Sequence, residues 1–168
     1  MEQKAVLFSE MTPAADWEAK FNAWYDREHI PLRMDVPGFA GAQRYKRNER
    51  DYLAVYDMDD ADVLASEAYG RVKNNPSEET AWMLKSVANF TRYICAPIGQ
   101  QASVPVEEML EAPVLYPVFF AVPADRADEF DRWYDEDHVP TLLEEKSWLG
   151  CRRFEIKSGE PGQFTRLA

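Results

Sequence analysis

The sequence predicts an α+β protein in which one unit is written twice, and three observations predict it. The segment Phe21-Asn22-Ala23-Trp24-Tyr25-Asp26-Arg27-Glu28-His29-Ile30-Pro31 returns as Phe130-Asp131-Arg132-Trp133-Tyr134-Asp135-Glu136-Asp137-His138-Val139-Pro140, at a constant offset of 109 residues. The same offset aligns Asp16 with Asp125, Gly41 with Gly150 and Arg44 with Arg153, and it superposes the only two histidines, His29 and His138. In both copies, apolar runs of strand character alternate with segments of helical spacing in the same order.

The elements of the first copy follow from local pattern. Ala5-Val6-Leu7-Phe8 reads as a strand. Pro13 and Asp16 open a helix, with Asp16 placed as its N-cap. Trp17, Phe21, Trp24, Tyr25 and Glu28 keep helical spacing, so the aromatic members form its buried stripe. Pro31 disfavours helical geometry at Ile30, and the helix is expected to end or kink near His29. A Pro37-Gly38 turn leads to a strand over 41–46, and a charged turn to another over 52–57. A helix over 61–72 stops at Asn74-Asn75-Pro76. A further helical turn or two over 78–86 and a strand over 89–96 complete the copy. This βαββαβ order is that of a ferredoxin-like unit.

The pattern then restarts, with a strand over 114–122, a helix over 125–145, a strand over 148–157 and the start of another over 163–167. The domain reading is therefore a first ferredoxin-like repeat at 1–98, a linker at 99–113, and a partial second repeat at 114–168. The second copy lacks its second helix and last strand, which would leave apolar surface and strand edges uncovered. Either the sequence is shorter than the complete fold, which is the expectation, or a second chain covers the gap as a homodimer.

Composition narrows the classes. At 168 residues, 46% hydrophobic and 13% aromatic, the chain has ample material for a core. A net charge of −11 with no Lys/Arg cluster argues against nucleic acid. The uncharged run over 112–124 is too short to span a bilayer and holds three prolines. No secretory signal pattern opens the chain, and Cys95 and Cys151 occupy unrelated places in the repeat. A cytoplasmic protein with reduced thiols and no membrane partner is the expectation. With seven glycines there is no dinucleotide fingerprint, no Gly-x-Ser-x-Gly elbow is present, and no ligand cluster has metal spacing. Neither metal nor other cofactor is expected.

The doubled Phe-x-x-Trp-Tyr-Asp-x-Glu/Asp-His-Ile/Val-Pro segment, late on the first helix of each copy, resembles EthD-like proteins of the dimeric α+β barrel superfamily. That resemblance implies two ferredoxin-like units whose sheets enclose a barrel-shaped cavity, here with both halves in one chain as a pseudo-dimeric α+β barrel. Its members span cofactor-free monooxygenases, isomerases, dehydrochlorinases, cyclases, dehydratases, heme peroxidases and proteins without known activity, so function rests on the site.

Residue chemistry supplies the candidates. His29 and His138 each lie near a helix C-terminus with an aspartate, Asp26 or Asp135, three residues earlier. Two readings stand. In one, the carboxylate orients the ring and raises its pKa toward neutrality, making a general acid/base. In the other, each histidine caps the helix end and fixes the His-x-Pro bend. Trp24 and Trp133 read as core, whereas the hydroxyls of Tyr25 and Tyr134 are candidates for ligand contact. Strand alternation assigns Tyr45 and Phe154 to the helix-covered face, which turns Arg44 and Arg153 toward the cavity to hold a carboxylate or enolate; a salt bridge to a nearby acid is the other reading. Tyr56, Arg92 and Tyr93 are further candidates whose strand face is open.

The leading functional reading is a cofactor-independent enzyme, of lyase, isomerase or dehydratase type, moving a proton on a small aromatic or unsaturated acid. A non-catalytic small-molecule binding or assembly module is the alternative, and a cofactor-free monooxygenase a further one.

Overall fold

The computed structural model describes residues 3–168 and shows a mixed α+β architecture on one seven-stranded antiparallel sheet. The strands are β1 (Ala5–Thr12), β2 (Phe39–Arg47), β3 (Asp51–Met58), β4 (Ala88–Ala102), β5 (Phe119–Phe120), β6 (Gly150–Glu160) and β7 (Arg166–Leu167), in the order β2-β3-β1-β4-β6-β7-β5. β1 opens on the apolar run 5–8 and sits inside the sheet, paired to both β3 and β4. β6, β7 and β5 stand to one another in the same order and sense as β2, β3 and β1.

The helical segments are α1 (Glu18–Trp24), α2 (Ile30–Met34), α3 (Glu67–Asn74), α4 (Glu78–Ser86), α5 (Val106–Leu110), α6 (Ala127–Trp133) and α7 (Val139–Leu143). The helix bearing His29 does not stop at the proline. A π-helical turn, Tyr25–His29, joins α1 to α2, with the Ile30 N–H reaching back five residues to the Tyr25 carbonyl. The wider turn lets the chain pass the proline, which cannot donate and would crowd the preceding turn. The second copy repeats the device at Tyr134–His138, where the Val139 N–H bonds the Tyr134 carbonyl. Asp16 is not the N-cap: it falls inside a 3-10 turn, Ala15–Trp17, and no side chain caps either start. The helix expected over 61–72 divides into a 3-10 turn, Ala61–Ala65, and α3, because Ser66 caps the Tyr69 N–H and restarts it.

Two cores lie on opposite faces of the sheet. On the helix side Leu7, Met11, Phe21, Trp24, Tyr25, Tyr56, Tyr69 and Met83 pack together. On the other side Val6, Phe8, Leu53, Tyr93 and Cys95 meet Phe154 and Leu167 from the second half. The sheet curls strongly, since Phe8 of β1 touches Phe119 of terminal strand β5 at 5.1 Å between ring centroids. Arg152 of β6 likewise reaches Asp57 of β3 at 2.6 Å. Inside this curl, expected as a hollow, Phe8, Tyr93, Phe119 and Phe164 pack ring against ring.

The linker expected over 99–113 begins later. β4 continues to Ala102 because its far half pairs with β6, from Arg92–Glu160 to Ala102–Gly150. The following segment carries α5 and crosses the face opposite the helices, where the Leu110 carbonyl accepts from Gln43 and the Ala112 carbonyl from Tyr45. The strand expected over 114–122 shrinks to β5, flanked by Pro117 and Pro123, which have no N–H to donate. Among the described residues, no element stands to the second half as α3, α4 and β4 stand to the first.

Candidate functional site

A cleft of about 230 Å3 opens on the helix side of the first half, between the π-turn with α2, the α3–α4 pair, and the sheet. Alternation along β1 sends Ser9 and Met11 into it, while β3 contributes Tyr56 and β4 contributes Arg92. His29 enters from the end of the π-turn and Arg33 from one helical turn further on. The Arg33 Nη1 donates to the His29 carbonyl at 3.0 Å, and its guanidinium lies 5.5 Å from the Tyr56 ring. Glu28 closes the far wall by accepting from Ser77 Oγ at 2.5 Å and Thr80 Oγ1 at 2.6 Å, which ties the start of α4 to the π-turn.

His29 is 4% exposed, its ring against Trp24 at 4.2 Å and Tyr25 at 4.7 Å. Burial, reinforced by the positive charges of Arg33 and Arg44, holds its pKa well below the ordinary histidine value, so it is a neutral base at pH 7. This direction is opposite to the one expected from an aspartate partner. Asp26 is turned outward and pairs with Arg44 Nη1 at 3.3 Å instead. The Arg33 Nε is buried without a hydrogen-bond partner, and the buried Tyr56 hydroxyl lies beside that of Tyr25. Burial also raises the Tyr56 pKa, keeping that hydroxyl a proton-bearing donor. Three cations line the cleft, Arg33, Lys73 and Arg92, against the single carboxylate of Glu28, whose Oε1 already accepts from two hydroxyls. In a chain of net charge −11 that local balance marks an anion-favouring site.

The other expected site residues fall elsewhere. Arg44 faces the helices, the reverse of its expected direction, with Nη2 on Asn22 Oδ1 at 2.7 Å and its guanidinium 4.2 Å over the Tyr25 ring. Tyr45 and Phe154 take the opposite face. The reason is helix anchoring: Lys46, two residues on, bonds Glu18 of α1 at 2.8 Å from the same face. Tyr25 is 2% exposed, its pKa raised by burial, and its hydroxyl meets Met11 Sδ at 3.8 Å rather than lining the cleft. Arg153 is 2% exposed, pairs with Asp131 and with Asp135 at 2.6 Å, and lies 4.7 Å over the Tyr134 ring. Burial alone would raise the Asp131 carboxyl, but hydrogen bonds and charge from Arg166 and Arg153 outweigh it and hold the group below its ordinary value. Burial pushes Tyr134 up to about 12. His138 sits behind Trp133 at 5.0 Å, stacked on its ring.

The repeated motif thus builds the same aromatic knot twice. Phe21 meets Tyr25 at 5.1 Å and Phe130 meets Tyr134 at 5.5 Å, while tyrosine and histidine are 4.7 Å apart in both copies. Only the first copy has α3 and α4 to turn the knot's histidine into a cleft wall. Arg33 is not a candidate in the sequence, because the helix is expected to end or kink near His29; its i+4 spacing from His29 is the available signal. Among the described residues, no group of three or more His, Cys, Asp or Glu could hold a metal ion, and no helix is long and apolar enough to cross a membrane.

No family model matches the chain, and no curated protein matches it. A solved structure does: a crystal structure of an anthrone oxidase-like protein superposes with a TM-score of 0.53, at 9% identity, over 99% of this chain and 72% of that one. The likeness is one of fold. It supports a mixed α+β architecture running through nearly the whole chain, of a kind found in an oxidase-like protein.

Proposed function

We propose that the helix-side cleft is the site of a small-molecule enzyme that moves a proton on a small aromatic or unsaturated acid, with His29 as proton acceptor. The observation that carries this reading is the meeting of a neutral buried imidazole with a tyrosine hydroxyl and an unpartnered guanidinium N–H in one cation-rich cleft. Arg33, Lys73 and Arg92 attract the carboxylate. His29 takes a proton from a C–H conjugated with the acid; the C–H electron pair enters the conjugated system as an enolate, whose oxygen accepts from Tyr56 and Arg33. The imidazolium returns the same proton to another carbon, giving an isomer, or to a departing hydroxyl, giving water and an alkene. Side chains supply each role, so the reading calls for no cofactor. Arg44 and Tyr25 act behind His29: the phenol helps bury the ring, which keeps it neutral, and the guanidinium charge adds to that effect. The doubled knot, the strand order of the two halves and the superposed fold support the finer reading of two ferredoxin-like units of the EthD-like kind, the second incomplete and serving as scaffold.

A test is hydrogen–deuterium exchange at carbon, followed by NMR for a panel of small unsaturated and aromatic acids in D2O. The folded protein is expected to exchange a C–H in at least one member, His29→Asn to lose roughly 10²-fold or more of that rate, and His138→Asn to keep it. Equal exchange in His29→Asn would end the proton-transfer reading. Binding of an acid without exchange would favour a ligand-binding module instead. A second reading, a cofactor-free monooxygenase, is favoured by the oxidase-like fold neighbour. It is distinguished by oxygen uptake with a phenolic or quinol-like substrate.

A further inference from the structure

The lining of the helix-side cleft is ordered by depth. Its floor holds Ser9, His29 and Tyr56, which are 6%, 4% and 1% exposed, alongside the apolar Leu7 and Met11, and Arg33 contributes a buried Nε. Its rim holds Leu32 of α2, Leu84 of α4 and Phe90 of β4, which are 43%, 42% and 40% exposed. Large apolar side chains scattered singly over a surface need no explanation, but three from separate elements meeting at one opening do. Folding alone would bury those three and leave the polar groups outermost, the reverse of what is seen. Arg92 joins the two levels. It is in register with Ser9 of β1, and it lies two residues after Phe90 on the same strand face, roughly 7 Å along it. Among the described residues its side chain has no ion pair or hydrogen bond, and Glu160, opposite it across the ladder, forms no ion pair with it.

We infer that the acid this cleft takes is amphipathic: an unsaturated chain acid whose carboxylate end lies on the floor and whose apolar tail leaves across Leu32, Leu84 and Phe90. This names the substrate class within the proton-transfer reading and rests on that reading for which end reacts. Volume sets the division of the ligand. At about 230 Å3 the cleft is smaller than the ~300 Å3 at which sites for drug-sized ligands begin, so it encloses the head and the first few carbons. Charge sets the direction, because Arg33 and Arg92 hold a carboxylate while the one acid of the lining, Glu28, is occupied by two hydroxyls. Rim composition favours a chain over a polycycle. Leu32, Val72 and Leu84 offer branched aliphatic surface and Phe90 the one ring of the rim, so a flat ring system finds no second ring to pair with there. A chain of about six to ten carbons reaches from Arg92 past Phe90.

The test measures binding to the full chain by isothermal titration for but-2-enoic, hex-2-enoic and oct-2-enoic acids, with oct-2-en-1-ol and 2-naphthoic acid as controls. Affinity is expected to rise about two- to fourfold per added methylene, since each is partly buried at the rim, and so at least ~10-fold from butenoate to octenoate. Leu84→Ala combined with Phe90→Ala is expected to shrink that ratio to about threefold or less; both side chains are exposed enough to be cut without unfolding the chain. Arg92→Gln is expected to weaken every acid by roughly 10-fold and to leave the ratio, and octenol is expected to bind at least ~10-fold more weakly than octenoate. The inference is overturned if no acid binds, if affinity is flat with chain length, if the rim variant keeps the full ratio, if Arg92→Gln leaves the affinities unchanged, or if octenol or naphthoate binds as tightly as octenoate. Its failure is distinct from that of proton transfer. Length-dependent binding without C–H exchange in D2O ends the proton-transfer reading and supports the amphipathic ligand, whereas exchange on butenoate with no gain from length does the opposite.

Discussion

At the scale of single residues, His29 and His138 occupy the same place in the repeated motif, yet their surroundings differ. His29 is buried among rings and feels two guanidinium charges, and its pKa lies well below the ordinary 6.5 in consequence. The linkage to stability has a definite sign. An unfolded chain takes up a proton at this histidine as pH falls past 6.5, and the folded chain resists until a lower pH. The contribution of the neutral ring is therefore complete above 6.5 and is lost as pH falls through the folded value. Comparison with a His29→Gln variant isolates it. Wild type is expected to lose stability relative to the variant by up to about 1.4 kcal/mol per pH unit below that point, measured by urea denaturation at several pH values. A difference that does not change with pH would contradict the burial of this ring.

At the scale of elements, the π-turn makes the site. It carries the helix past Pro31, brings Arg33 one turn beyond His29, and sets Glu28 against the first residues of α4. Glu28 is the tie between two elements that share no strand pairing, accepting from Ser77 and Thr80 while Thr80 accepts from Trp24. Glu28→Ala is expected to cost about 1–3 kcal/mol, with faster amide exchange concentrated in α4 (78–86). Uniform change across the chain, or none in α4, would contradict that role. Much at this scale was legible in the sequence. The turn at Pro37-Gly38, the paired strands around residues 41–57 and the stop at Asn74-Asn75-Pro76 follow from local chemistry. The passage through the proline did not, because a π-turn is a choice between two hydrogen-bond patterns that the same residues permit. Nor did the face of Arg44: alternation gives two faces but not which one the helices cover, and the hydrophobic Tyr45 was the better guess for the covered side. Its place against the second half of the chain is a tertiary fact.

At the scale of the molecule, the repeat predicted the order of elements but not what separates its halves. On the inward-facing side of the curled sheet Phe8, Tyr93 and Phe119 are in mutual contact. The cleft arises instead where α3 and α4 stand off the sheet, and only the first half has them among the described residues. Tyr56 and Arg92 were visible as candidates without a face, and it took the sheet register to place both on the side of His29. Two copies of one motif therefore stand in different surroundings, and of the two histidines His29 lines the cleft. The most direct measurement follows the imidazole nitrogen resonances of the two histidines, assigned with His138→Asn, across pH and during titration with a small unsaturated acid. The account predicts that His29 remains neutral well below 6.5 and shifts as the acid binds, while His138 is indifferent to it. A His29 that protonates at or above 6.5, or an acid that perturbs His138 and leaves His29 untouched, would contradict it.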